Sequence, residues 1–590
     1  MSKKILGIDF GTTNCCFAIY DNKDVKIITN DNSQQITPSV ISFYNEEIII
    51  GNIAKEYSSD NFKNTIYGIK RLIGRNFDDP EINKDIKNWP FKVIKDFNTG
   101  KPKIEIEYNN KIEIFTPEEI ISMILRKIKE FCKNFLGKEI KNTIITVPAY
   151  FNDLQRKSMK MAFEMADFNV INILNEPIAA AISYRLNINV SYNRNVLIFD
   201  LGGGTFDISI LTIKDNKFDI KCTGGDSHLG GDDFDYLLMD YFIKEFKKNS
   251  EINIRENKKI MHKLKIKCEE CKIRLSYTEN TEIILNDLPN GEDYSLKISR
   301  NEFEDICKEL FDKIVQITKK TINDSPIPVE DILDYVLVGG SSNIPKIENI
   351  LYDIFKFEPH KTSNNELAVA SGAAIYGAFR GKFIDSNYSN IKINNITSLS
   401  YGLELDNGEM DIIIPKNSKI PFEKTEKYKT ADDNQTKAKI IIYQGENFYT
   451  EDNTFIDEYT IPNLIPKPKG EIVFDVTFKI NENGILTVKS VESGEGQINK
   501  LKFNTNNGLN EENFKENINR DSVNYKNENI EYYRNDLYKF ANDLQQNHES
   551  YIIRQKAFDC IKWLNNNENL NQNDIISKKD SLKSSINYFK

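Results

Sequence analysis

One short pattern occurs twice in this chain, 191 residues apart from Asp9 to Asp200, and any fold must find a place for both copies. Near the start stands LGIDFGTTN; far downstream stands LIFDLGGGTFDIS. In each, a hydrophobic strand delivers the Asp, one hydrophobic residue follows, and a glycine-rich turn ends in Thr12 and Thr13 or in Thr205. Two pseudo-equivalent halves of this kind can close on one ligand from opposite sides. Glycines let backbone N–H groups approach phosphate oxygens with no Cβ in the way. The Thr hydroxyls can donate to the same oxygens, and a strand-end Asp can hold a hydrated Mg2+, which keeps most of its waters and needs only one or two carboxylates. A single GGGT is as readily an ordinary tight turn; the second copy tips the reading to a nucleotide. GxxxxGK[ST] does not occur, which excludes a P-loop enzyme.

The hydrophobic pattern divides the chain into four. Residues 1–380 alternate strand-like runs such as NTIITVPAYF and YVLVGG with helical stretches such as PEEIISMILRKIKEFCKNFL, an α/β region with helices covering a buried sheet. Residues 381–396 are polar and read as a linker. Residues 397–503 change to short strands of period-two alternation, which predicts a compact β-sandwich. Residues 504–590 turn helical, with Ile530, Tyr533, Leu537, Phe540 and Leu544 at three- and four-residue steps.

Charge and hydropathy exclude other classes. With 78 Lys and Arg against 88 Asp and Glu, the net charge of -10 argues against a nucleic-acid partner. No run of 18 apolar residues predicts a membrane span, and MSKKILGIDFG lacks the apolar stretch of a signal peptide, so a cytoplasmic, reducing location is expected. The eight Cys show no framework spacing, and Cys268 and Cys271 stand as a close pair with no second pair to complete a site. They fall with Ile260, Leu264 and Leu275 on one apolar helix stripe, which favours core over a metal or redox site; a zinc site would need ligands the sequence does not place nearby.

The motifs GIDFGTTN, KRLIGR, TVPAYFND, NEPIAAAISY, IFDLGGGTFDIS, GDSHLGGDDFD and VLVGGSSNIPKI, in this order, resemble the 70-kDa heat-shock chaperones, as a divergent member. DDNQ, QGE, YTIPNLIP and DVTFKINENGILTV extend the resemblance past residue 490. It implies an actin-like two-lobed ATPase domain, a peptide-binding β-sandwich and a shortened C-terminal helical lid, with ATP/ADP and Mg2+ as cofactors. The implied activity is an ATP-dependent chaperone and slow ATPase that binds exposed hydrophobic peptides, assisted by a J-domain co-chaperone and a nucleotide-exchange factor. The alternative is a slow or non-hydrolysing relative serving as exchange factor or scaffold. A small-molecule kinase of the same fold is the remote third reading, which the sandwich disfavours.

On this resemblance Gly11, Thr12, Thr13, Asn14, Gly202, Gly203, Gly204 and Thr205 clamp the phosphates. Gly230, Gly339, Gly340, Ser341 and Asn343 complete the nucleotide site, with Glu269, Lys272 and Ser276 on the nucleoside. Asp9 and Asp200 organise the metal through water, Glu176 and Asp207 stand beside the attacking water, and Lys70 supplies the cation at the γ-phosphate. Taken singly, Lys70 is an ordinary surface lysine and Glu176 a carboxylate balancing a helix N-terminus. Pro148 and Arg156 match positions that relay nucleotide state; alone, Pro148 could simply end a strand and Arg156 pair with a surface acid. Leu403, Leu405, Tyr428, Ala431, Ala438 and Ile440 are placed at the peptide groove, with inward core packing as the alternative for each.

Three departures stand out. The linker carries NIKINNITSLSYG in place of a leucine-rich acidic segment, with Ile391, Ile393 and Ile396 able to form at best a weak edge strand. Asp406 replaces an apolar residue that arches over the peptide. Asn343 stands where the family has an Arg on the base, and Ile273 where many eukaryotic members have another. Losing a stacked guanidinium forfeits roughly 0.5–2 kcal/mol, about two- to thirtyfold in affinity. Calorimetry is therefore expected to find ATP binding weaker than in typical relatives; nanomolar affinity would contradict this.

Overall fold

The computed structural model describes residues 4–44, 47–109, 111–187, 193–250, 252–286, 288, 293–360, 364–382, 390–492, 537–538, 540–542, 544–546, 550–567, 574–575, 577–579, 581–582 and 585. The chain forms two compact units, one of residues 1–43 and 50–514, the other of 44–49 and 515–590.

In the first unit the repeat becomes two sheets of matching design. β1 (Leu6–Phe10), β2 (Asn14–Asp21) and β3 (Asp24–Ile27) form an antiparallel meander, and β4 (Asn142–Val147) then β5 (Asn169–Asn175) add in parallel beside β1. The second sheet repeats this with β6 (Arg194–Leu201), β7 (Phe206–Lys214) and β8 (Lys217–Asp226), and β9 (Ile332–Val338) lies parallel beside β6. β1 and β6 are buried almost throughout, as strands covered on both faces must be.

Local signals set the helices. The stretch read as helical in the sequence is α1 (Pro117–Leu136): Thr116 caps it in a box with Glu119, Pro117 occupies the first turn, and Gly137 ends it at φ 68°. α2 (Asp153–Met165) opens with the same device, Asn152 and Gln155 bonding reciprocally. α3 (Glu176–Asn187), α4 (Gly231–Asn249) and α5 (Lys258–Leu275) follow. On α5 the stripe Ile260, Leu264, Cys268, Cys271 and Leu275 is buried in the core of the second lobe, as the core reading requires. α6 (Ala368–Arg380) crosses α3 through small residues, and a Cβ on Gly372 would overlap the Ala179 carbonyl oxygen.

β10 (Lys392–Ile396) extends the second sheet, pairing in parallel with β8 at Lys217–Lys392, Phe218–Ile393 and Asp219–Asn394. The expected edge strand is not at the edge. Ile396 and Asn395 pair on the far side with a strand at Lys419–Ile420, and Ile391 and Ile396 are buried.

Beyond it lie two antiparallel sheets. In the first, β11 (Tyr401–Glu404), β12 (Met410–Ile414), β13 (Ala438–Gln444) and β14 (Thr454–Ile461) run in the order β12-β11-β13-β14. The second contains a strand at Phe422–Lys429, then β15 (Val473–Ile480) and β16 (Leu486–Glu492). Their alternating inward residues, among them Leu403, Ile440, Ile442, Val476, Phe478 and Val488, form one core, which Leu154 of α2 joins. Asp153 Oδ1 accepts from Leu486 N at 2.7 Å, and Asn483 Oδ1 accepts from Ile173 N at 3.0 Å.

The second unit contains α7 (Tyr551–Asn566) and a small core that includes Leu537, Leu544, Ile553, Ala557 and Leu564, with Phe540 packed on it. Ile530 and Tyr533 of the expected stripe, and residues 504–536 generally, lie outside the described residues, as do 383–389 of the expected linker and 493–503.

Gly372→Ala is expected to destabilise the first unit by about 1–3 kcal/mol through overpacking at the α3–α6 crossing. A thermal-unfolding midpoint equal to wild type would show that the helices separate freely to admit the methyl.

Candidate functional site

The two hairpin turns face one another across the cleft between the duplicated sheets. Gly11 N donates to Asn14 O and Gly202 N to Thr205 O, each at 3.0 Å, so the true equivalents are Asn14 and Thr205; Thr12 and Thr13 correspond to Gly203 and Gly204. That register differs from the one the Thr-ending motifs suggested. A Cβ on Gly203 would overlap Thr13 Oγ1, and one on Gly204 would stand 2.7 Å from Thr12 Oγ1. Only glycine allows the turns to mesh.

The cavity between them measures about 250 Å³. Its walls include Asp9, Gly11, Thr12, Thr13 and Asn14 from the first hairpin, and Asp200, Gly202, Gly203 and Thr205 from the second. Lys70 and Glu176 lie between them; Glu269, Lys272 and Ser276 of α5 and its end, and Gly339, Gly340, Ser341 and Asn343 after β9, form the far end. Three expected residues do not line it. Gly204 lies under Thr12, Gly230 packs on the Gly203–Gly204 backbone, and Asp207, opposite Asp200 in the hairpin ladder, is buried with its carboxylate on the Tyr150 amide.

The electrostatics are those of an acid-rich pocket with one central cation. Lys70 Nζ donates to Glu176 Oε1 at 2.8 Å, and both are buried. Burial alone would lower the Lys70 pKa, but Glu176, Asp9 and Asp200 outweigh it and hold the ammonium above its ordinary value. Burial, then Glu176, pushes Asp9 up to about 7, although Lys70 and a hydrogen bond from Thr146 oppose this. Burial with Glu176, Asp207 and Asp9 lifts Asp200 well above the carboxylate range. Burial and Glu176 raise Asp207 to about 8 against a 3.0 Å hydrogen bond from Tyr150 N.

This donor set fits a hydrated divalent cation. Asp9, Asp200 and Glu176 outnumber Lys70, the lysine set among them, and among the described residues no three His, Cys, Asp or Glu converge to grip a bare ion. The glycine-lined turns fit phosphate for the reason given above: a side chain would fill the space.

At the far end the three expected residues of α5 and its end line the cavity, each already engaged by a protein partner. Glu269 is held by Lys55 at 3.0 Å, from the opposite side of the cleft. Lys272 is tied to Asp235 at 2.8 Å and to Gly231 O at 2.7 Å, and Ser276 Oγ lies 3.5 Å from Lys272 O. Asn343 spends its amide on the loop: Nδ2 donates to Gly340 O at 3.1 Å and Oδ1 accepts from Asn365 at 3.2 Å. Glu366, the acid that NNELAVASGAA offers where the family has an Asp, lines the same cavity; Asn365, Asp232 and Asp235 line it too and were missed. The run GGDDFD contained the two aspartates, but nothing in their spacing said that they would anchor the lysines of α5.

Pro148 and Arg156 are brought together. The strand β4 ends immediately before Pro148, and the Arg156 guanidinium is buried, donating to Phe151 O and Ala149 O at 3.0 Å, to Asn175 Oδ1 at 2.8 Å and to Pro148 O at 3.5 Å. Among the described residues it pairs with no surface acid. Burial lowers its pKa, and Gly484 of the two-sheet region faces it so closely that a Cβ there would stand 3.5 Å from the guanidinium.

Of the expected groove residues, Leu403, Ala438 and Ile440 are buried in the shared core, the alternative considered for them, and Tyr428 packs against it. Tyr428 Oη donates to Asp411 Oδ2 at 2.6 Å. Ala431 is part-buried, while Leu405 and Asp406 are exposed.

The family model described as Hsp70 protein matches residues 5–589. A heat shock 70 kDa protein of Emericella nidulans is 38% identical over 601 residues, covering 99% of this chain and 92% of the relative. One of Neurospora crassa is 41% identical over 505 residues, covering 85% and 78%. The heat shock cognate 70 kDa protein 3 of Dictyostelium discoideum is 36% identical over 603 residues, covering 99% and 96%.

The chain belongs to the Hsp70 family. It is an ATP-binding chaperone of protein folding, and the ATPase activity general to Hsp70 proteins, with ATP or ADP and Mg2+, accords with the acid-rich cleft between its two lobes. No described helix is long and apolar enough to cross a membrane.

The raised acids make a test of the cleft. Folded Asp207 keeps a proton that the unfolded chain releases, so it contributes nothing to stability below about pH 4 and a growing penalty from there to about pH 8. In chelator and without nucleotide, Asp207→Asn is expected to raise the unfolding midpoint at pH 8 and to leave it near wild type at pH 4. An equal gain at both would contradict the assignment.

Proposed function

We propose that this Hsp70 uses the cleft to bind and hydrolyse ATP, and that the bound nucleotide controls the grip of the two-sheet region on extended hydrophobic peptides. The observation that carries the reading is the meshing of two matching acid-and-glycine hairpins around the Lys70–Glu176 pair. Residues 1–380 act as the ATPase domain, 381–396 as linker, 397–503 as a peptide-binding β-sandwich and 504–590 as a helical lid.

The turns at Gly11–Asn14 and Gly202–Thr205 clamp the phosphates with backbone N–H groups and the Thr12, Thr13 and Thr205 hydroxyls. Asp9 and Asp200 hold the water shell of Mg2+, which when bound neutralises phosphate charge. Lys70 supplies a fixed cation at the γ-phosphate, and its ion pair with Glu176 sets both side chains in place. Glu176 orients the attacking water. Asp207, across the hairpin from Asp200 with its carboxylate held by the Tyr150 amide, acts through Asp200 rather than on the water itself, a change from the sequence expectation. Glu269, Lys272 and Ser276 face the nucleoside.

Two routes support coupling. β10 continues the sheet that delivers Asp200, and α2, which carries Asp153 and Arg156, contacts the peptide-binding region directly. ATP biases the docked arrangement only as far as it binds that state more tightly. In this arrangement Leu403, Ala438 and Ile440 are withdrawn into the core, so peptide binding requires the sheets to open around them. A J-domain co-chaperone and a nucleotide-exchange factor are the partners this cycle calls for, in a cytoplasmic setting.

A second reading, a scaffold or exchange factor with little turnover, draws on Asn343 being tied to its own loop and on the exposed Asp406. Single-turnover hydrolysis separates the two: Lys70→Ala is expected to slow it by about a hundredfold or more, and ATP is expected to speed release of a bound hydrophobic peptide. Release indifferent to nucleotide would eliminate the cycling chaperone.

A further inference from the structure

The two halves of the duplicated sheet differ at their acids, and the difference isolates one hydroxyl. Asp200 has Val338 beside it on the parallel strand β9 and Asp207 across the hairpin. Asp9 has Cys16 across the hairpin, and on the parallel side β4 places Thr146, one residue past the Ile8–Ile145 pair. Thr146 Oγ1 donates to Asp9 Oδ1 at 3.1 Å, and Thr146 is fully buried.

The fold does not need a hydroxyl at this register. The equivalent Val338 is equally buried, and Val has nearly the shape of Thr. Nor is Thr146 merely finding some acceptor for a buried O–H. Thr143, three residues earlier on the same strand, meets that need with a backbone carbonyl, Leu6 O at 3.2 Å. Thr146 spends its only donor on a side-chain carboxylate that lines the cavity.

We propose that Thr146 is a positioning residue for the divalent-cation site: its hydroxyl fixes one oxygen of Asp9, so that the remaining lone pairs of that carboxylate serve the water shell of the ion. This rests on reading the cleft as a Mg2+–nucleotide site. A carboxylate turns readily about its last side-chain bond, and a hydrogen bond to one oxygen removes that freedom before the ion arrives. Outer partners of this kind change metal affinity by about 10- to 100-fold.

The test is calorimetry of ADP binding to the full chain, with Mg2+ and with chelator, for wild type, Thr146→Val and Thr146→Ser. In chelator the three are expected to bind ADP alike. Mg2+ is expected to tighten wild-type binding, and the valine variant to lose about tenfold of that gain, with serine restoring it. Thr146→Ala replaces the valine protein if that one does not fold. A gain retained without the hydroxyl, an equal loss in chelator, or failure of serine to rescue overturns the role of Thr146. A wild-type protein that gains nothing from Mg2+ overturns instead the reading of the cleft.

Discussion

Everything in the cleft depends on the contact of Gly203 and Gly204 with Thr13 and Thr12, where no side chain could intervene. It brings two strand ends from distant parts of the chain to one cavity, and with them the acids Asp9 and Asp200. Crowding buried carboxyls around a single ammonium is unfavourable, as the raised pKa values of Asp9, Asp200 and Asp207 record. The same crowding makes the cavity receptive to an added cation. Stability is given up at the site where a ligand restores it, a familiar relation between function and strain.

The sequence was most legible where the signal was local or duplicated. α1 is bounded by its own cap, proline and glycine, and the two hairpins announce themselves by repetition. The cysteine stripe of α5 was readable because helix periodicity alone assigns it to the core. Less legible was anything decided by partners far along the chain. The turn register, which makes Asn14 the counterpart of Thr205, depends on hairpin hydrogen bonds rather than on matching threonines. Asp207 looked like a cavity residue because it follows the motif closely and stands across the hairpin from Asp200, but its carboxylate is taken up by the Tyr150 amide, a partner far along the chain.

The adenosine end and the groove show the same limit. Asn343 could be read as a lost arginine; its engagement with Gly340 and Asn365 could not, since that depends on a loop more than 20 residues away. Alternation along β11 and β13 shows that Leu403 and Ile440 face one side, but not whether that side is open or closed. β10 was legible as a possible strand, and its second neighbour at Lys419–Ile420 was not.

Arg156 carries a consequence of its own. Its guanidinium is shut away from water, with Gly484 against it and only carbonyls and an amide as acceptors. A positive charge enclosed by neutral dipoles is worse off than in solvent, by an amount on the order of a few kcal/mol. Parting the two regions would take Gly484 away from this enclosure, so the cost of covering the charge offsets part of what the neighbouring contacts of Asp153 and Leu154 contribute.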